Sequence, residues 1–325
     1  MFHAASDGLE ARLATGRPIS GYIGFDPSAP SLHIGHLIPI SGLIHLQRHG
    51  GRPVALVGGG TGMIGDPSGR SAERNLLDRE TLATNAATIR GQLERYLDFS
   101  AGPSGARLAN NMDWLEPMTM IDFLRDVGKH FTVPYMLAKD SVQTRLDRGL
   151  SFTEFSYMLL QSADFAHLHR TMGVELQMGG ADQWGNITAG LELIRRTAAG
   201  SDGDEPAFAL AYPLLLSPSG TKFGKSDTGD SIWLDADRTS PFTFYQHWLN
   251  TDDRDVGTYL RWFTTMAPDA IEALDAEVIA APGARAAQRT LAPMDVLDPA
   301  RSLNNLRKPV AREERPSVRP RKAAA

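Results

Sequence analysis

The sequence predicts an α/β protein built as one large domain and one smaller one, and three observations carry that expectation. Its 325 residues are enough for such a pair. At residues 21–46, and again at 174–186, an apolar strand-like run passes through a turn toward a helical pattern. Residues 53–57, Pro-Val-Ala-Leu-Val, are an unbroken apolar run, the pattern of a strand buried on both faces. A hydrophobic content of 42% with 22% charged residues fits a soluble protein with a real core. The chain has no cysteine, which excludes disulfides, a thiolate nucleophile and a thiolate metal site and suits the cytosol. No apolar run approaches the roughly 18 residues of a membrane span, and no signal pattern opens the chain, so neither a membrane span nor secretion is expected. The net charge of −5 means that a nucleic-acid partner would need a local basic patch.

Residues 1–20 are short and helical at best. Residues 21–28 read as a strand running into a turn. Ser31-Leu32-His33-Ile34-Gly35-His36-Leu37 follows, and residues 37–46 have helical spacing. His33 and His36 therefore stand where a helix opens. The first N–H groups of a helix lack internal partners and the dipole is positive there, so such an end attracts phosphate. Two imidazoles beside it can donate to the same group, and Gly35 leaves room for a flat base or a sugar. Taken alone, a His-x-x-His is more simply a pair of capping or core histidines.

The strand at 53–57 ends in a glycine loop over 58–69. Gly60-x-Gly62-x-x-Gly65 has the spacing of a dinucleotide fingerprint. That fingerprint must open a helix, whereas Asp66-Pro67-Ser68-Gly69 makes a turn, so the assignment is rejected. A glycine loop at the C-terminal end of a strand still lets a ligand approach the backbone. Residues 76–97 predict an amphipathic helix, and 117–150 predict charged, solvated helices. Along 152–165, Tyr157, Gln161 and Asp164 stand at i, i+4 and i+7 on one face of an otherwise apolar helix. Polar groups there must find partners, as an internal network or as a pocket for a polar ligand. Residues 174–186 read as a strand, a glycine turn and a helix start, with Asp182 a possible N-cap. The segment Gly220-Thr221-Lys222-Phe223-Gly224-Lys225-Ser226 fails the P-loop spacing. It is either an exposed basic loop or a loop whose two ammonium groups close on a pyrophosphate. Residues 240–290 predict helices rich in aromatics, first over 241–249 and then over 255–263. Residues 301–322 hold eight Arg/Lys, two acidic residues and three prolines, the composition of a disordered basic tail.

His33-Ile34-Gly35-His36 resembles the HIGH signature of class I aminoacyl-tRNA synthetases, and the longer string from Gly24 to His36 is similar to its tyrosyl-tRNA synthetase form. Lys222-Phe223-Gly224-Lys225-Ser226 resembles the second signature, KMSKS. Gly179-Gly180-Ala181-Asp182-Gln183-Trp184-Gly185-Asn186 resembles a third family string. The resemblance covers roughly residues 9–291. It implies a Rossmann-like, doubly wound parallel sheet with ligands at the strands' C-terminal ends. The implied layout is a catalytic domain over 1–230, with an inserted region within about 111–155 that forms the dimer interface, Phe152 near the centre of that interface, and the loop at 220–226. A partial helical anticodon-stem domain over 231–291 and the basic tail over 292–325 complete it. No counterpart of the family's C-terminal S4-type RNA-binding module is expected.

The resemblance further implies ATP-dependent activation of tyrosine and its transfer to tRNA(Tyr), in a cytoplasmic homodimer. Mg²⁺ would travel with ATP rather than in a protein cage. The implied catalytic residues are His33, His36, Lys222 and Lys225. Tyrosine would be held by Tyr22, Asp66, Tyr157, Gln161, Asp164 and Gln177. ATP would be held by Asp26, Gly35, Gly180, Asp182, Gln183 and Lys225. No metal ligands are implied. Two departures stand out: Ile23 replaces a frequent Cys, and Pro39 a frequent Thr, in a first helical turn where a missing N–H costs little. A form that only activates tyrosine, or a non-catalytic RNA-binding relative, are the alternatives.

Overall fold

The structure is a computed structural model. It describes residues 2–68, 77–147, 149–198, 206–215, 223 and 231–292, without the side chain of residue 141. In chain order, β1 (Ala4–Ala5), α1 (Leu9–Ala14), β2 (Ser20–Phe25), α2 (Leu37–Arg48), β3 (Arg52–Val57), α3 (Arg79–Tyr96) and β4 (Arg107–Asn110) form the first half. Four short helices follow: α4 (Met112–Leu115), α5 (Met120–Asp126), α6 (Val133–Leu137) and α7 (Asp140–Leu146). Then come α8 (Phe152–Met172), β5 (Leu176–Gly180), α9 (Trp184–Ala198) and β6 (Phe208–Tyr212). Helices α10 (Pro241–Leu249), α11 (Asp253–Phe263), α12 (Pro268–Ala280) and α13 (Ala286–Leu291) close the described chain.

The six strands form one sheet in the order β1-β6-β5-β2-β3-β4. All neighbours are parallel except β1 against β6. The order reverses between β2 and β5, a switch point of the doubly wound kind, and crevices open at the carboxyl ends of strands there. Alternation along the strands explains the unbroken apolar run of β3. Ile23, Phe25, Ala55 and Val57 pack in the core with α2 and α3 (Leu37, Ile40, Ile89, Leu93). Tyr22, Val54 and Leu56 pack instead with Phe165 and Leu168 of α8 and Ile194 of α9. Both faces are covered, so both sets of side chains must be apolar.

Local chemistry sets the helix starts. Ser151 caps α8 by accepting from the Glu154 N–H, and Gly173 ends it at φ 63°, a left-handed position that suits glycine. Asp78 caps α3, and Ser240 caps α10 with Pro241 in its first turn. Pro39 is the third residue of α2, inside the first turn, as expected. The 111–150 segment packs its own core (Val127, Phe131, Met136, Val142) on Met158 and Leu159 of α8. Arg145 and Glu154, both almost fully buried, pair at 2.7 Å beside that core.

Two expectations need correction, and two strands were not anticipated. Residues 1–20 are not merely helical, because β1 adds an antiparallel edge to β6. Strands β4 and β6 were not singled out: β6 (Phe-Ala-Leu-Ala-Tyr) does carry an apolar run, whereas β4 (Arg-Leu-Ala-Asn) carries none. Arg107–Asn110 is extended because it pairs with Val54–Val57 of β3, a decision made by the neighbour. Asp182 is not an N-cap: Gly180 caps a 3-10 turn over Ala181–Gln183, and Asp182 lies inside it. The tail over 293–325 lies outside the described residues.

Candidate active site

A cavity of about 380 Å³ opens where β2 and β5 end. Every site residue expected from the sequence that is described lines it: Tyr22, Asp26, His33, Gly35, His36, Asp66, Tyr157, Gln161, Asp164, Gln177, Gly180, Asp182 and Gln183. Lys222 and Lys225 lie outside the described residues.

At the mouth, the two histidines cap their own turn. The His33 N–H donates to His36 Nδ1 at 3.1 Å, and the Gly35 N–H donates to His33 Nδ1 at 3.0 Å. The N–H groups of Ile34 and His36 are taken by the carbonyls of Ile232 and His33. The N–H groups of the four junction residues, 33 to 36, are therefore already taken by side chains and backbone. The capping reading is the one the geometry shows. A ring whose Nδ1 accepts carries its proton, when neutral, on Nε2. Burial, and then the neighbouring His33, lower the His36 pKa to about 3, so His36 is a neutral N–H donor across the physiological range. Gly35 is required for a second reason: a Cβ there would lie 2.8 Å from the His33 ring.

The closed end is built around Asp164. Its two oxygens accept from Asn111 Nδ2 and Trp114 Nε1, each at 2.8 Å. Burial still pushes its carboxyl up to about 7, against the pull of those hydrogen bonds, with Asp26 adding to the rise. Tyr22 is 1% exposed, and its hydroxyl has no hydrogen-bond partner. Burial and then the Asp164 charge raise its pKa well above the usual phenol value. Gln177 stands beside Tyr22 in the register of β5 against β2, and its Oε1 is also buried without a partner. Such orphaned groups are costly, and two in one pocket wall mark a place for a polar ligand.

A second polar group lies nearer the mouth. The Tyr157 hydroxyl donates to Asp26 Oδ2 at 2.9 Å, and Thr61 Oγ1 donates to Asp26 Oδ1 at 2.7 Å. With its proton committed, the Tyr157 oxygen presents lone pairs. Gln161 Oε1 accepts from Asn186 Nδ2 at 3.1 Å, which orients the amide as an acceptor. Asp66 closes a turn on the Ser68 N–H and accepts from Gln183 Nε2 at 2.7 Å. Three acceptor side chains, Tyr157, Gln161 and Asp66, suit a cation with three N–H bonds. On the other wall, a Cβ on Gly180 would fall 2.7 Å from Asp182 Oδ1. Asn111, Trp114, Thr61 and Asn186 were not singled out from the sequence. Only Asn186 carried a signal there, as the last residue of the 179–186 string.

Among the described residues, no three His, Asp or Glu side chains are arranged to hold a metal ion. No helix among the described residues is long and apolar enough to cross a membrane.

Residues 14–299 match the family model for tRNA synthetases class I (W and Y). The tyrosine–tRNA ligase of Anaeromyxobacter dehalogenans strain 2CP-1 is 56% identical over 292 residues, 90% of this chain and 68% of that protein. The tyrosine–tRNA ligase of Geobacillus stearothermophilus is 56% identical over 286 residues, 88% of this chain and 67% of that protein. Among solved structures, a C-terminally truncated mitochondrial tyrosyl-tRNA synthetase from Coccidioides posadasii superposes with a TM-score of 0.79 at 30% identity, covering 94% of this chain and 88% of that one. The tyrosyl-tRNA synthetase of Archaeoglobus fulgidus complexed with L-tyrosine gives 0.69 at 18% identity, covering 94% and 96%, a likeness of fold.

Proposed function

We propose that this chain, which belongs to the class I tRNA synthetases of the tryptophan and tyrosine group, is a tyrosine–tRNA ligase with the residue roles that follow. The observation that carries the choice of amino acid is the closed end of the cavity. A tyrosine phenol there gives the orphaned Tyr22 hydroxyl a partner and meets Asp164, whose oxygens are already aimed by Asn111 and Trp114. Phenylalanine would leave the Tyr22 hydroxyl desolvated and unpaired and give Asp164 no further donor, a discrimination for which tyrosyl-tRNA synthetases themselves are the usual example. The ammonium group then falls among the acceptors of Asp66, Tyr157 and Gln161. Gln177 closes the wall beside Tyr22.

The tyrosine carboxylate attacks the α-phosphorus of ATP and pyrophosphate leaves, giving tyrosyl-adenylate. The 3′ end of tRNA then takes the tyrosyl group and AMP leaves. The carboxylate is already the nucleophile, so activation needs no general base. The residues work by positioning and by meeting charge as it develops. His33 and His36 supply N–H donors at the mouth, and Lys222 and Lys225 are assigned to the departing pyrophosphate. Asp26, Gly35, Gly180, Asp182 and Gln183 form the nucleotide side. Mg²⁺ belongs to this scheme as part of the ATP substrate.

The segment 111–155 exposes Met120, Ile121, Val133 and Phe152, an apolar set that supports its role as the contact between two copies. A cytoplasmic homodimer, with 1–230, 231–291 and 292–325 as its parts, completes the proposal. The test is tyrosine-dependent exchange of pyrophosphate into ATP, with phenylalanine as the competitor. Equal exchange with both amino acids at matched concentrations rejects the assignment.

A further inference from the structure

Asp164 takes its two hydrogen bonds from groups that are held in different ways. Asn111 is fixed by its own amide: Oδ1 accepts from the Gly60 N–H at 2.7 Å, and Nδ2 donates to Thr61 Oγ1 at 2.9 Å as well as to Asp164. Trp114 has a single polar handle, the Nε1–H that donates to Asp164 Oδ1 at 2.8 Å. One hydrogen bond leaves an indole free to tilt about its side-chain torsions, so packing must set the plane of the ring. Trp114 stands on α4, a helix of only four residues, and is half-buried. Part of it packs on the core cluster that holds Tyr22 and Phe165. A second ring lies flat against it: His167 stacks on Trp114 with 4.3 Å between centroids and 12° between planes. His167 follows Asp164 by three residues in α8, a spacing that puts both on one side of the helix. The same helix therefore carries the carboxylate and the ring that steadies its donor. Burial, and then Arg170, hold the His167 pKa below the usual imidazole value, so the stack at neutral pH is one of uncharged rings. Neither Trp114 nor His167 lines the cavity.

We infer that His167 is a positioning residue for tyrosine selection, a flat clamp that holds the Trp114 indole in line with Asp164. This rests on the function proposed above, in which Asp164 meets the tyrosine phenol. Without the clamp the indole tilts, and Asp164 keeps one aimed donor in place of two. The carboxylate then has a less fixed direction and holds a proton more readily, because a hydrogen bond to its charged form is lost. Either change weakens its acceptance of a phenol O–H. A phenylalanine ring makes no use of that bond, so its binding should not suffer. The donors assigned to the developing charge stand at the mouth and are untouched. The loss should therefore fall on tyrosine affinity and selection, and leave the saturated rate alone.

The test compares the full chain with His167→Ala, His167→Phe, Trp114→Phe and the double variant His167→Ala/Trp114→Phe. Three quantities are read: equilibrium tyrosine binding, pyrophosphate exchange with tyrosine and with phenylalanine, and solvent exchange of the Trp114 indole N–H. NMR identifies that N–H as the indole signal missing from Trp114→Phe. His167→Ala should raise the tyrosine Kd by about fivefold or more, with a matching fall in the tyrosine-over-phenylalanine ratio of kcat/KM and a saturated rate within about twofold of the parent. Its Trp114 N–H should exchange about tenfold faster or more, while the other indole signals keep their rates. His167→Phe, which restores a flat ring, should recover both properties. Trp114→Phe has no Nε1–H to aim, so adding His167→Ala to it should change the Kd by less than about twofold. A tyrosine Kd in His167→Ala within about twofold of the parent, a full additional loss in the double variant, or His167→Phe no better than His167→Ala overturns the inference. If His167→Ala loses its cooperative thermal transition, His167→Leu, which fills the space without a flat face, carries the same readouts. A parent chain without tyrosine binding or exchange would count against the proposed function. The indole comparison needs no substrate and would still decide the clamp, an unchanged rate in His167→Ala overturning it.

Discussion

His33 and His36 hold each other's turn: the His36 ring nitrogen accepts the His33 N–H at 3.1 Å, and the rings stand 4.1 Å apart. The arrangement keeps both rings, when neutral, in a fixed tautomer. Each Nδ1 is spent on the backbone, so each neutral ring is an Nε2–H donor.

Replacing His36 by alanine should therefore have two separable effects. The saturated exchange rate should fall by on the order of a hundredfold, as for removal of one donor to a developing charge. Stability should fall by about 1 kcal/mol from the lost cap. Tyrosine affinity measured at equilibrium should change little. An unchanged rate with a collapsed affinity would remove His36 from the catalytic group.

At the other end of the cavity, Tyr22→Phe should erode selection for tyrosine. The variant removes the orphaned hydroxyl without opening a cavity. The ratio of kcat/KM for tyrosine over phenylalanine should drop by about tenfold or more, since one buried polar match is lost. Competition kinetics with both amino acids read this directly, and an unchanged ratio means that Tyr22 does not meet the phenol.

Acid titration of stability should show two buried groups pulling in opposite directions. Asp164 is raised to about 7 in the fold, above its unfolded value near 4, so the native state holds its proton more tightly. Its contribution to stability falls as pH rises from about 4 to about 7, by at most about 1.4 kcal/mol per pH unit. His36 is lowered to about 3, so the unfolded chain binds the extra proton, and stability rises with pH between about 3 and 6.5 by at most the same slope. Part of the His36 ring is open to the cavity, and pocket water tempers its share. Urea titrations from pH 4 to 8 should give Asp164→Asn a stability that improves relative to the parent as pH rises. His36→Asn should do the reverse. Parallel curves for all three proteins would contradict both assignments.

The Arg145–Glu154 pair offers a stability test away from the cavity. Both side chains are at most 4% exposed, so Arg145→Met leaves a buried carboxylate unpaired at a cost of about 3–5 kcal/mol. Arg145→Met with Glu154→Gln should recover much of that loss. Denaturant midpoints of the two variants decide it, and a double variant as unstable as the single would mean that packing, rather than charge, is what was lost.

Phe152 is 75% exposed at the start of α8. If 111–155 joins two copies, Phe152→Asp should shift sedimentation from a dimer to a monomer at micromolar concentration. An unshifted dimer would move the contact elsewhere.

The sequence by itself determined the local grammar: the run of β3, the helical period behind His36, and the polar face of α8 with Tyr157, Gln161 and Asp164 on it. These follow from periods of two and 3.6 residues, which short stretches carry. It did not show β4, whose four residues Arg-Leu-Ala-Asn are extended only because β3 lies beside them. Nor did it show Asn111 and Trp114, which reach Asp164 from 53 and 50 residues away, or the spending of the Tyr157 proton on Asp26, 131 residues distant. The junction divides the same way. Spacing put two histidines where a helix opens, but only the folded chain decided that the N–H groups of residues 33 to 36 are already occupied and that the Phe223 carbonyl lies against Gly35. Residue type and period are local properties. Which hydrogen bonds are satisfied, and which are left for a ligand, depends on groups that only the packed sheet and helices bring together.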